Sequence, residues 1–183
     1  KNRFAAEAPD FAGDGIPGLA VDDVREEVVE TAWGRPSDAI VRGRLRVGDG
    51  SVDLLFVPRH GRGHRLAPSA VPYRANIAAL KQLGATHLLS VSAVGSMKEE
   101  LAPGDLVVVD QFLDLTRRRA SPFFSLDGHS DVGAPVAHVG FADPICPVLS
   151  KVVYEAALTT GAGWTPTAAS SAACATRAYA STA

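Results

Sequence analysis

Residues 71–96 read VPYRANIAALKQLGATHLLSVSAVGS. Tyr73, Ile77, Leu80 and Leu83 fall at i, i+4, i+7 and i+10, one stripe of an α-helix. Gly84 stands where a helix ends. The spacing predicts a helix over Pro72–Leu83. The near-continuous apolar run after it predicts a buried strand over His87–Val91. Upstream, "GSVDLLFV" predicts a strand through Leu54–Val57, and downstream "LVVVDQFL" predicts another over Leu106–Asp110. Apolar strands separated by a helix are the pattern of a parallel sheet covered on both faces, which makes this an α/β protein.

The flanks are read from this centre. "VREEVVE" suggests a short strand at Val24–Glu30, followed by a turn at Gly34-Arg35-Pro36 and a strand in "AIVRGRLRV". Gly48-Asp49-Gly50 joins that strand to the next as a hairpin. Residues 1–20 contain several helix and strand breakers and read as loop. Gly140–Cys146 reads as loop. Pro147 then opens a helix with Leu149, Val152, Val153 and Ala156 at helical spacing. Beyond Thr159 the chain is small, polar and Ala-rich, the composition of a linker, a tail or a poorly packed terminus. No internal repeat is found, so residues 1–183 are expected to form one domain, irregular over 1–20 and 160–183.

Composition narrows the function classes. The chain has 183 residues, 46% hydrophobic and 21% charged, which fits one ordinary globular domain. Its net charge of −2 argues against a nucleic-acid partner. Cys146 and Cys174 form neither a CxxC pair nor a disulfide framework, which suits a reducing cytosol. The N-terminal residues lack a signal-peptide apolar core, and no apolar run approaches a membrane span. A cytoplasmic protein with no membrane partner is expected.

The stretch "PRHGRGH", Pro58–His64, follows a buried strand, and ligands of α/β sheets bind beyond strand carboxyl ends. Arg59 offers a planar fork for phosphate. Gly61 and Gly63 allow close backbone approach, and His60 and His64 can hydrogen-bond phosphate or sugar oxygens. A solvated basic turn is the alternative. His60 and His64 also have the i, i+4 spacing of zinc ligands, but Gly-Arg-Gly between them opposes a helix. His87, His129, His138 and the cysteines have no recognisable ligand spacing, so no metal site is expected. In "SVSAVGS", small residues after a strand leave room for a ligand, and Ser92 adds a hydroxyl; a simple tight turn is the alternative. The run Arg117-Arg118-Arg119 reads as a solvated or salt-bridging edge, and Phe123-Phe124 as a candidate subunit contact. His138 alone reads as structural.

Taken together, three segments resemble the methylthioadenosine phosphorylase branch of the purine nucleoside phosphorylase family. They are "ETAWGRPSDAIVRG" (30–43), the run from "PRHGRGH" through "LVVVDQFLDLTRRR" (58–119), and "VAHVGFADPICP" (136–147). The resemblance covers about Val24–Leu158. It implies a three-layer α/β phosphorylase fold with a largely parallel sheet, truncated at the C-terminus. It also implies an enzyme, a pentosyltransferase that uses phosphate to cleave a purine (5'-methylthio)nucleoside to free purine and pentose 1-phosphate. Such a reaction passes through an oxocarbenium-like transition state. The alternative is a non-catalytic relative that keeps an anion site or an oligomer interface.

By the same resemblance, Arg59, His60, Ser92 and the Ala93 backbone would bind phosphate. His64 would bind the sugar, together with His138 from a neighbouring subunit of a homotrimer. No catalytic acid or base is assigned, and no cofactor is implied beyond phosphate as co-substrate. Two departures stand out. The family's first loop carries a Ser or Thr hydroxyl, whereas here "AGDGIPG" places Asp14 between Gly13 and Gly15. Near the C-terminus only "TRAYAST", Thr176–Thr182, corresponds to a longer family motif.

Overall fold

The computed structural model describes residues 3–8, 21–117, 123 and 139–160. The chain divides into two compact units, residues 1–93 with 119–123, and residues 94–118 with 124–183.

The first unit is built on a hairpin. Strand β3 (Ile40–Val47) and strand β4 (Gly50–Pro58) pair antiparallel out to Val47 opposite Gly50. Gly48 has φ +55° at the first central position of the turn, where a type II′ hairpin calls for glycine. Leu55, Phe56 and Val57 are all buried, so successive side chains on both faces of β4 are covered. Strand β2 (Val21–Glu27) pairs antiparallel with β3, with a register shift between Asp22 and Arg25 and Asp23 at φ +54°. It lies three residues earlier than expected at each end.

Strand β1 (Arg3–Ala8) corrects the reading of residues 1–20 as loop. It runs parallel to β4 on one side and to β5 (His87–Ser90) on the other. Its sequence, RFAAEA, has little intrinsic strand preference. Strand state comes instead from its place between two neighbours, where Ala5, fully buried, faces Leu55 and Leu88. Arg3 anchors the strand: its N–H donates to Thr86 Oγ1 at 3.0 Å, and its guanidinium reaches Asp53 and the Leu83 carbonyl. The sheet order is β2-β3-β4-β1-β5, so the parallel part lies at β4-β1-β5 and the remainder is antiparallel. The sheet is thus mixed, and the fold is α/β.

Helix α1 (Tyr73–Gln82) crosses from β4 to β5. Its buried face is Ala75, Asn76, Ala79 and Leu80, rotated from the large-residue stripe read in the sequence; Tyr73, Ile77 and Leu83 are half-buried. Two alanines allow the helix to approach a core of Ala5, Ile40, Leu55 and Val57. Its end is a Schellman motif: Ala85 N–H donates to Leu80 O and Gly84 N–H to Lys81 O, both at 2.9 Å, with Gly84 at φ +83°.

In the second unit, helix α2 (Pro147–Thr159) begins at the proline as expected. Its covered stripe is Leu149, Ser150, Val153, Tyr154 and Ala157, while Val152 is exposed. The strand expected over Leu106–Asp110 is not formed: Leu106 makes a single bridge and residues 107–110 have no regular structure. An apolar run becomes a strand only where a neighbouring segment supplies its ladder, and apolarity alone does not show that neighbour. No described helix is long and apolar enough to cross a membrane.

Candidate active site

The candidate site is built at the carboxyl end of β4, in the loop Arg59–Leu66. Backbone hydrogen bonds fold the loop tightly: Gly61 N–H donates to Pro58 O (2.8 Å), His64 N–H to Gly61 O (3.1 Å), and Leu66 N–H to His60 O (2.9 Å). Gly61 and Gly63 both take φ +72°, and His64 takes φ +52°. A left-handed conformation at a non-glycine residue costs about 1 to 3 kcal/mol, so surrounding contacts must hold His64 there.

The loop brings Arg59, His60 and His64 together. Arg59 Nη2 donates to Ser92 Oγ at 2.8 Å, which joins this loop to the segment after β5. Ala93 follows Ser92 and is exposed. Arg59, His60, His64, Ser92 and Ala93, five of the six residues expected to bind phosphate or sugar, therefore belong to the first unit. His138 lies outside the described residues, as do Asp14, Phe124 and the segment Thr176–Thr182.

His60 is buried, with its Nδ1 2.7 Å from Leu66 O. A carbonyl only accepts, so Nδ1 carries the proton in the neutral ring and Nε2 is the acceptor. Nε2 is then free to accept from a phosphate hydroxyl or, on the imidazolium, to donate to a phosphate oxygen. His64 stacks on His60 with ring centroids 4.4 Å apart and planes 8° from parallel. Imidazole lone pairs lie in the ring plane, so two face-to-face rings do not converge on one ion. This geometry opposes a shared zinc site. Among the described residues, no group of three or more His, Cys, Asp or Glu side chains could hold a metal.

Arg62 and Arg65 brace the loop. Arg62 pairs with Glu26 at 2.7 Å, and its N–H donates to Asp38 Oδ2 at 3.0 Å. Arg65 reaches the same Asp38 oxygen at 3.2 Å and also hydrogen-bonds Ser37 O. Its side chain lies under Gly61, where a Cβ would stand 2.8 Å from Arg65 Nε. Asp38 also accepts from Ala39 N–H at 2.9 Å. Burial alone would raise its pKa, but the N–H groups of Arg62 and Ala39 and the Arg65 guanidinium more than offset this and hold it below the usual aspartate range. Asp38 is a part of the site that sequence reasoning missed. The only available signal was its position in the quoted "GRPSD" segment.

Phe123, expected at a subunit contact, lies edge-on to Trp33 of the same chain, with centroids 4.9 Å apart. The second unit has a cleft of about 580 Å³ lined by Val108, Asp110, Asp143, Ile145, Lys151 and Tyr154 among others. None of the expected anion-binding residues lines it.

Residues 12–183 match the family model of the phosphorylase superfamily. The chain belongs to the phosphorylase superfamily. The family match extends past the quoted motifs at both ends. Over 154 residues the chain is 56% identical to S-methyl-5'-thioadenosine phosphorylase of Cereibacter sphaeroides, a match covering 82% of this chain and 49% of that protein. It is 50% identical over 154 residues to the S-methyl-5'-thioadenosine phosphorylase of Geobacter sulfurreducens, covering 83% and 50%. A crystal structure of methylthioadenosine phosphorylase from an antarctic soil metagenomic library matches with a TM-score of 0.76 at 41% identity, covering 90% of this chain and 53% of that one. This superfamily chain spans about half the length of the curated relatives it matches.

Proposed function

We propose that the protein is a purine nucleoside phosphorylase acting on a 5'-methylthio nucleoside, with inorganic phosphate as co-substrate and no further cofactor. The observation that carries this reading is the Arg59–Ser92 hydrogen bond, which unites the two motif loops into one cationic, donor-rich corner beside His60. The similarity to S-methyl-5'-thioadenosine phosphorylases supplies the reaction class.

In this reading Arg59, His60, Ser92 and the Ala93 backbone hold phosphate, and His64 faces the ribose. A phosphate oxygen forms a bond to the anomeric carbon as the carbon–nitrogen bond to the purine breaks. The bonding electrons leave with the purine, which takes up a proton, and the sugar departs as its 1-phosphate. Donors fixed around the phosphate keep its nucleophilic oxygen aligned and favour the cationic sugar of the transition state by placing a dianion against it. His138 completes the sugar pocket from a neighbouring subunit, so the active form is an oligomer, in this reading the homotrimer that the resemblance implies. The chain acts as one phosphorylase-like domain in the cytoplasm, where its exposed free Cys146 is compatible with reducing conditions.

The test is release of adenine from methylthioadenosine by the purified chain with and without phosphate. Phosphate-dependent release, lost in Arg59→Ala, is the expected result. A chain that binds phosphate but shows no turnover under any condition supports a non-catalytic relative and overturns the enzymatic reading.

A further inference from the structure

We propose that Asp38 is a positioning residue for the phosphate-binding loop, acting through Arg62 and Arg65 rather than by touching phosphate. The inference rests on the phosphate-site reading above.

The loop Arg59–Leu66 holds three residues in the left-handed region, Gly61, Gly63 and His64. Its internal hydrogen bonds close the turn, but they do not fix its position against the sheet. Asp38 does so from outside the loop, 24 residues away along the chain. One carboxylate oxygen accepts both the Arg62 backbone N–H and the Arg65 guanidinium. The guanidinium in turn hydrogen-bonds Ser37 O and fills the space beneath Gly61.

Ser37 is tied to the core. Its N–H donates to Asn76 Oδ1 at 2.7 Å, and its hydroxyl accepts from Asn76 Nδ2 at 2.9 Å. Asn76 and Ser37 are both buried. A continuous hydrogen-bonded path thus runs from helix α1 through Ser37 and Arg65 to Asp38 and the Arg62 amide. It fixes the loop that presents Arg59, His60 and His64. No part of this path needs the carboxylate to contact the ligand.

The sign of the effect separates positioning from simple electrostatics. A carboxylate near an anion site repels the anion, so through-space charge alone predicts tighter phosphate binding when Asp38 is neutralised. Positioning predicts weaker binding, because the loop loses its anchor.

The test compares the wild-type chain with Asp38→Asn and Arg65→Met, using inorganic phosphate as the probe. Calorimetry reads phosphate Kd. Amide hydrogen exchange without phosphate reads residues 61–66, and urea unfolding reports global stability. Asp38→Asn is expected to raise Kd about tenfold, the effect of losing one charge-assisted hydrogen bond. It should also speed exchange at the Arg62 and His64 amides by more than the accompanying small fall in the urea midpoint accounts for. Arg65→Met, at an exposed position, should shift Kd and exchange in the same direction. Wild-type binding with equal or tighter binding by Asp38→Asn overturns this inference alone, as does a loss that merely follows global unfolding. A wild-type chain that does not bind phosphate overturns the phosphate reading and this inference with it.

Discussion

The Arg59 guanidinium donates a 2.8 Å hydrogen bond to the Ser92 hydroxyl across 33 residues of sequence. Each group preorganises the other, so their contributions to phosphate binding should be coupled. Arg59→Lys keeps the charge but loses the planar fork, and is expected to raise the phosphate KM by about 10- to 100-fold. Ser92→Ala should raise it by about 2- to 10-fold. In the double variant the two effects should fall short of additive, as expected for groups in contact. Steady-state kinetics with phosphate varied at fixed nucleoside checks all three values; strict additivity would show the two groups to act independently.

Asn76 is a fully buried polar side chain on the core face of α1, and both of its ends are engaged by Ser37. Asn76→Leu fits the volume but leaves the Ser37 N–H buried without its acceptor. An orphaned buried donor costs about 1 to 3 kcal/mol, so the urea midpoint should fall accordingly. Asn76→Ala adds a cavity and should cost more. A midpoint unchanged in Asn76→Leu would mean that Ser37 finds another partner.

How much was legible in the sequence depended on where each element gets its stability. Helix α1, its stop at Gly84 and the Gly48 hairpin follow from local chemistry, and each was readable from a few neighbouring residues. Strand β1 was not readable: RFAAEA becomes a strand through β4 and β5, which lie far away in sequence. The apolar run Leu106–Asp110 shows the reverse, a strand-like composition without strand structure. At the site, Arg59, His60, His64 and Ser92 were identifiable by residue type and motif. Asp38 was not, because its role depends on contacts to Arg62 and Arg65 that only the fold creates.

Gly84 couples the end of α1 to strand β1. Its φ of +83° suits glycine, and a Cβ there would stand 2.6 Å from the Arg3 guanidinium. Gly84→Ala therefore meets backbone strain and a displaced Arg3 together. A loss of about 1 to 3 kcal/mol in unfolding free energy is expected from the backbone conformation alone. Gly84→Asn should be milder, since asparagine tolerates the left-handed region better. Chemical denaturation of the two variants gives the order; an alanine variant as stable as wild type would mean that the chain relaxes out of the Schellman motif without loss.

Asp38 gives the pH dependence of the loop a definite sign. Its folded pKa lies below the ordinary value of 3.8, because the stabilising N–H and guanidinium contacts outweigh its burial. A depressed carboxylate stabilises the fold fully above the unfolded pKa. That contribution is lost as pH falls from about 4 through the lower folded pKa. Between pH 7 and 5 Asp38 is charged in both folded and unfolded states, so this group should leave stability flat there. Below pH 4 the wild type should lose stability more steeply than Asp38→Asn, which has no proton to gain at this position. The protection of the Arg62 amide relative to its intrinsic exchange rate should fall over the same range, since protonation weakens the acceptor that holds it. Urea unfolding of both proteins from pH 3 to 7 measures the difference. Parallel curves for the two would show that the Asp38 contacts contribute equally in both protonation states.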